Sequence, residues 1–400
     1  MIGGGAAGIL AAWRAASLGV RVTLLEKTDR LGTKILISGG GKCNITHQGT
    51  VEEVLKAFRK NEAHFLRPSF YAYPPDEVLG LIGLETYVRP NGRVFPVDAT
   101  AKDVVAALAA RLRQMGVVIR FNAPSTHLLV EDGSICGVRV GDEIRSKKVV
   151  LAVGGSSYPG TGTTGDGWTM ATAVGHRLVK VRAALAPINL VKPWPWPGVS
   201  LRDCILKAKQ AGNELARWRE DLLFTHHGVS GPCALGISRE VAEGAGGGRI
   251  DLEVDVAPDQ GFDHLAQRLR EWLAAHPRRP LTAFVGDFVP DRLSGALLRS
   301  ANVDGALQGA RLDRRGRARL LETLKNWPLG AVRDVPIEKG EVVAGGISLD
   351  EVDSKTMESK LVRGLYLCGE VLDIAGPVGG YNLQAAWSTG FVAGSSAARP

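Results

Sequence analysis

The spacing of apolar and polar positions changes along the chain, and each change marks an element. Residues 6–18 are alanine-rich with a helical rhythm, Gly19 stops that stretch, and the apolar run 20–25 ends in Glu26. With Ile2 and the glycines in front, the order reads strand, tight turn, helix, strand. A βαβ unit ordinarily brings about five residues of first strand to its glycines. Only Met1 and Ile2 precede them, which predicts a natural start upstream or a clipped first strand. Beyond a glycine-rich loop at 31–48, the pattern predicts a polar helical stretch at 51–67, an amphipathic helix at 101–115 and a strand at 117–121. Three short runs, 126–130, 135–140 and 143–145, are separated by Asp132-Gly133 and Gly141-Asp142 turns and predict a β-meander. Residues 148–153 form a β-branched buried strand that runs into Gly154-Gly155. A loop rich in Gly, Ser and Thr follows, then a helix at 168–175.

From residue 185 the texture differs. Pro187, Pro193, Pro195 and Pro197, with Trp194 and Trp196 between them, mark a rigid boundary. Strand patterns at 201–209, 215–218 and 249–256 give way to a helical, arginine-rich segment at 262–324. Strand character returns at 331–346, and residues 364–394 read as strand, glycine loop, helix. The simplest organisation is an insertion of roughly 150 residues in a nucleotide-binding domain whose last piece is C-terminal. Its expected bounds are 1–185 with 337–400 for that domain, 186–261 with 325–336 for a β-rich insert, and 262–324 for a basic helical part.

Composition narrows the class. Fifty glycines in 400 residues exceed ordinary usage without a Gly-X-Y period, so they serve turns and close backbone approaches. No run of about 18 uncharged apolar residues occurs, which predicts a soluble protein. Five widely spaced cysteines without C-x-x-C support neither a disulfide framework nor a metal site and suggest a reducing cytoplasm. Net charge is +8 and favours polyanionic partners. Residues 262–336 carry thirteen Lys and Arg against eight Asp and Glu, with Arg311, Arg314, Arg315, Arg317 and Arg319 inside nine positions. That cluster is either a solvated helix face or a surface for RNA, and both readings stay open.

Gly3-x-Gly5-x-x-Gly8, placed before a helix and 18 residues ahead of an acidic strand end, is a dinucleotide fingerprint. The first glycine makes the turn, the second lets amides approach a pyrophosphate, and the third, beside Ala7, packs helix on strand. Glu26, followed by Lys27, would accept hydrogen bonds from a ribose. The same physics serves NAD and FAD, so a second site decides between them. Leu367-Cys368-Gly369-Glu370 ends a short strand as a ribityl chain requires, and Gly379-Gly380-Tyr381-Asn382 opens a helix that would steady the negative edge of a reduced flavin, unless Gly379-Gly380 is only a helix cap. No second fingerprint precedes a helix in a βαβ context, so NAD(P)H would visit only transiently as electron donor. Without C-x-x-C, disulfide exchange is excluded, and hydride transfer at the flavin remains.

At four segments the sequence resembles the BaiN/RdsA family of FAD-dependent oxidoreductases, some of whose members are named aminoacetone oxidases. They are residues 38–46, with Gly41, Lys42, Cys43 and Asn44; residues 154–167, with Gly154-Gly155; residues 223–232, with His226-His227; and residues 356–360 leading into Gly369-Glu370 and Gly379-Gly380-Tyr381-Asn382. Lys42 stands where the family generally has Arg, and His47 where Asn is common. The resemblance implies an α/β fold: a Rossmann-type FAD-binding domain of the glutathione-reductase kind carrying inserted β-barrel-like and helical subdomains. It also implies that Lys34, Lys42 and Asn44 lie along the pyrophosphate and flavin. Cys43 either protonates a carbon as hydride reaches its neighbour or is a small buried apolar residue. His226 either faces substrate as an acid or base or is an ordinary strand-end histidine. Asp166 either caps the helix beginning near Gly167 or touches ligand.

The expected activity is NAD(P)H-driven reduction of an activated C=C bond, in a uridine of ribosomal RNA or in a small enone. The alternatives are an aminoacetone-type amine oxidase that uses O2, and an RNA-binding flavoprotein without turnover.

Overall fold

The computed structural model describes residues 1–399, apart from the Ala310 side chain, and divides into two compact units: Met1–Arg182 with the chain from Ile337 onward, and Ala183–Pro336. At the centre of the first unit lies a parallel sheet. Its order is Val118–Arg120, Thr23–Leu25, Ile2, Val149–Leu151 and Leu365–Leu367. The first strand is short, and its pairing is two-sided. Ile2 donates to Val150 O, Gly3 donates to Leu25 O, and Met1 O and Ile2 O accept from Leu25 and Ala152, so one residue is pinned from both sides. Last in sequence, Leu365–Leu367 adds to the free side of Val149–Leu151. The sheet therefore draws on residues from both ends of the chain.

The helix Ala6–Ser17 packs along the helix Tyr381–Ala397. Glycines make this possible: a Cβ at Gly390 would lie 2.3 Å from Ala7 O, and one at Gly394 2.3 Å from Ala11 O. Backbone meets backbone there. The meander is present as His127–Glu131, Ser134–Val140 and Asp142–Arg145. A second small antiparallel sheet, Thr46–His47, Arg93–Pro96 and Thr86–Val88, was not foreseen, although Asn91-Gly92 between two of its strands is a hairpin signal.

The second unit is a closed antiparallel barrel of six strands: Ile188–Leu190, Gly228–Ser230, Asn213–Phe224, Ser200–Gln210, Ile250–Asp255 and Trp327–Asp334. Closure leaves no edge to aggregate. The helix Gly231–Gly244 lies flat on the wall, since a Cβ at Gly236 would meet the Trp218 ring at 2.4 Å. Helices Phe262–Ala275, Thr282–Val285, Asp291–Ser300 and Arg314–Lys325 interrupt the barrel before its last strand. Leu265, Leu269 and Leu273 form the buried stripe of the first, at helical spacing.

A buried polar knot fastens this helical segment to the barrel. Lys325 Nζ pairs with Asp255 Oδ2 at 2.7 Å and donates to Ala257 O and Gln260 O, and Lys207 Nζ donates to Lys325 O and Asn326 Oδ1. Replacing Asp255 with Ala would leave the Lys325 ammonium buried without its counter-charge. Chemical denaturation of the variant is expected to show a loss of about 3 kcal/mol. Among the described residues, no helix is long and apolar enough to cross a membrane.

Candidate functional site

The three fingerprint glycines have different neighbours. Gly3 takes φ +97°, and a Cβ there would press on Ala152 O at 2.4 Å. At Gly8 a Cβ would lie 1.9 Å from Gly3 O, so turn geometry and helix packing account for both. Gly5 differs: it is the N-cap of Ala6–Ser17, its φ is an ordinary −83°, and a Cβ on it would meet nothing within 4 Å. No side chain caps this helix, so its first-turn amides point outward as donors.

Glu26 is buried at 7% exposure under this turn. Oε2 accepts from Gly4 N at 2.7 Å, and Oε1 accepts from Thr28 N at 2.7 Å and Thr28 Oγ1 at 2.9 Å. One lone pair on Oε2 remains for a further donor. Lys27 reaches across to Asp166 Oδ2 at 2.5 Å and to Thr164 Oγ1 at 2.6 Å. Burial disfavours the Asp166 charge, but the bonds from Lys27 and Thr164 outweigh it and hold the carboxyl below its usual range. Asp166 stands at the first position of the helix Asp166–Ala173, with Gly165 as the N-cap.

A second cluster joins three distant segments. Lys34 Nζ donates to Glu370 Oε2 at 2.6 Å and to Ser157 Oγ at 2.7 Å, and Glu370 Oε1 accepts from Val343 N at 2.9 Å. Gly155 permits this, because a Cβ on it would come within 3.3 Å of the Glu370 carboxylate. Gly369, at φ +73°, lies against Ala7: a Cβ there would be 2.8 Å from that of Ala7. Through this contact the C-terminal strand end sits on the first turn of the leading helix.

The loop at 38–47 is laced to the trailing helix. Asn44 turns its amide to donate to Thr46 O at 3.1 Å and to accept from Gly380 N at 3.0 Å. Thr46 Oγ1 donates to Gln384 Oε1, and Trp387 Nε1 donates to Ile45 O. Asn382 folds back on the turn before it, accepting from Gly376 N and donating to Gly376 O, both at 2.8 Å. Gly41 takes φ +86° in this loop, and Lys42 is exposed.

Cys43 is fully buried in an apolar cluster with Ile45 and Trp387, and burial pushes its thiol up to about 11. That is the environment of a packed apolar residue. His226 is exposed in the second unit, at the turn between the barrel strands Asn213–Phe224 and Gly228–Ser230.

His47 and Arg93 lie beside this cluster and are absent from the candidates read from the sequence. The His47 ring stacks on Tyr381 at 4.4 Å, its Nδ1 lies 3.0 Å from Gly379 O, and Arg93 is its cross-strand partner. Because a carbonyl only accepts, the His47 proton sits on Nδ1. The sole signal in the sequence was the departure from Asn at position 47.

The description HI0933-like protein Rossmann domain matches residues 1–396. The chain belongs to that family. It is 30% identical to the ribosomal RNA dihydrouridine synthase of Escherichia coli strain K12, over 97% of this chain and 95% of that one. It is 29% identical to the 3-dehydro-bile acid delta(4,6)-reductase of Clostridium scindens, over 100% and 98%. In fold it matches the crystal structure of 3-ketosteroid delta1-dehydrogenase from Sterolibacterium denitrificans, with a TM-score of 0.55 at 16% identity and coverage of 99% and 98%.

Like its family, the protein is an FAD-dependent oxidoreductase. The residues present fit that cofactor. Packing requires glycine at positions 3 and 8 but gives no reason for one at 5, whereas a diphosphate lying on the first-turn amides does.

Proposed function

We propose that this protein uses NAD(P)H to reduce an activated C=C bond conjugated to a carbonyl, with a uridine of ribosomal RNA as the preferred substrate. One observation carries the reading. Two relatives that align over nearly their whole lengths, the ribosomal RNA dihydrouridine synthase and the bile acid delta(4,6)-reductase, are named for saturating substrates that share this chemistry. The bound FAD would supply a two-electron hydride couple.

The chain's own residues then have distinct duties. The amides after Gly5 would take the diphosphate, with Ala7 and Gly8 keeping the helix start close to the sheet. Glu26 would accept from the ribose. Lys34 and Glu370 would present a neutral, hydrogen-bonding pair to the ribityl chain near Gly154 and Gly155. Gly379, Gly380 and Tyr381, braced by Asn44 and Asn382, would face the ring, and Lys42 would supply positive charge at the rim.

The preference for RNA over a small enone rests on the basic helix. Arg314 and Arg315 occupy the first turn of Arg314–Lys325, where the helix dipole opposes cations, so local stability does not explain them. Arg317 and Arg319 are partly tied down, donating to Leu312 O and to Ala301 O and Asn302 O. Arg311, Arg314 and Arg315 are exposed and, among the described residues, make no ion pair. Replacing these three with Ala is expected to weaken RNA binding. The slope of log affinity against log salt should flatten by about 0.7 for each lost phosphate contact. Mass spectrometry of ribosomal RNA nucleosides from cells with and without the gene tests the substrate. The reading predicts a dihydrouridine that disappears with the gene, and an unchanged level moves the assignment to a small enone.

A further inference from the structure

The trailing helix begins with a phenol that the fold holds firmly and gives no hydrogen-bond partner. Tyr381 takes the first helical position after Gly380. His47 stacks on its ring with planes 19° apart, and Phe58 meets it edge-on at 6.1 Å and 88°. Gly379 leaves room for it, since a Cβ there would lie 2.8 Å from Tyr381 Cε2. Among the described residues, the Tyr381 hydroxyl bonds to no protein group. The hydroxyl is not sealed among protein atoms, so this clamped phenol is open to bond to water or to a ligand.

The surroundings suit an acid. Burial raises the affinity of the phenol for its proton, so the proton is present at neutral pH, and the Arg93 guanidinium works in the opposite direction by favouring the phenolate. Burial, with a smaller push from the same guanidinium and against the bond to Gly379 O, lowers the affinity of His47 for a second proton, so the imidazole stacks as an uncharged ring. A donor that holds its proton until needed, beside a cation that steadies the anion left behind, is what protonation of carbon requires.

We propose that Tyr381 is the proton donor of the reduction, delivering its phenolic hydrogen to the α carbon of an α,β-unsaturated carbonyl substrate. This rests on the reductase reading above. As hydride from the reduced flavin forms the new C–H bond at the β carbon, the π pair of the C=C bond takes up the proton at the α carbon and the O–H bond of Tyr381 breaks. The substrate gains two electrons and two hydrogens, the flavin is oxidised, and the phenolate recovers a proton from water.

The test uses the FAD-loaded full chain and Tyr381→Phe, reduced without oxygen and mixed with cyclohex-2-enone. The variant, once loaded with FAD and fully reduced, should be re-oxidised by the enone about 100-fold more slowly than wild type. Wild-type re-oxidation should fall at alkaline pH as the phenol ionises, and the variant should lack that limb. Incorporating 3-fluorotyrosine, a more acidic phenol, should move the limb to lower pH without removing any side chain. Independently of turnover, ionisation of a phenol at the ring should shift the visible flavin band in wild type and not in Tyr381→Phe. Re-oxidation of the variant at the wild-type rate, or a band shift that survives the substitution, overturns the proposal. If wild-type flavin is re-oxidised neither by the enone nor by RNA, the reductase reading itself fails and the donor role falls with it. The band shift still reports separately whether the phenol stands at the ring.

Discussion

Gly5→Val should yield a folded protein that no longer holds its cofactor. The new side chain would meet no protein atom, and φ −83° suits any residue, so the apo form should lose no more than about 1 kcal/mol from the poorer helix cap. Its methyls would stand over the first-turn amides, the site proposed for the diphosphate. Titration with FAD should show affinity weakened about 100-fold, equivalent to about 2.7 kcal/mol. Gly8→Val makes the contrast, because its side chain collides with Gly3 O and should damage the fold itself. Equal FAD affinity in Gly5→Val and wild type would show that the helix start does not hold the diphosphate.

Gly390→Val should unfold the same site from the far end of the chain. Its Cβ would sit 2.3 Å from Ala7 O, a backbone atom that cannot swing aside, so the two helices must separate. Overpacking of this kind costs about 3 kcal/mol or more. In a unit of this size the thermal midpoint should fall by about 6–12 °C. FAD should be lost as well, because Ala7 belongs to the turn that presents the amides. A variant that melts like wild type would mean that the helices are not in contact.

Much of this was legible because local chemistry dictated it. The opening glycines, the helix rhythm behind them and Glu26 at a strand end specify a βαβ turn within 26 residues, and the Asp-Gly and Gly-Asp turns specify the meander. What was hidden depends on distant partners. Asn213–Phe224 looked like a strand of four residues because Glu214, Arg217, Arg219 and Glu220 occupy it, yet barrel closure pairs its full length. The helix Gly231–Gly244 was masked by Gly231, Pro232 and Gly236, and Gly236 is explained only by the Trp218 ring beneath it. Gly390 and Gly394 look like weak points in an apolar helix until Ala7 and Ala11 are seen against them. His47 and Tyr381 stack across 334 positions of sequence, and no local pattern announces such a pair.

The central claim is that the leading turn and the trailing helix hold one FAD between them. A crystal structure of the protein grown with FAD tests this most directly. The account predicts one cofactor per chain, with its diphosphate on the amides after Gly5 and its ring against Gly379, Gly380 and Tyr381. A diphosphate bound elsewhere, or a ring remote from the start of Tyr381–Ala397, would contradict it.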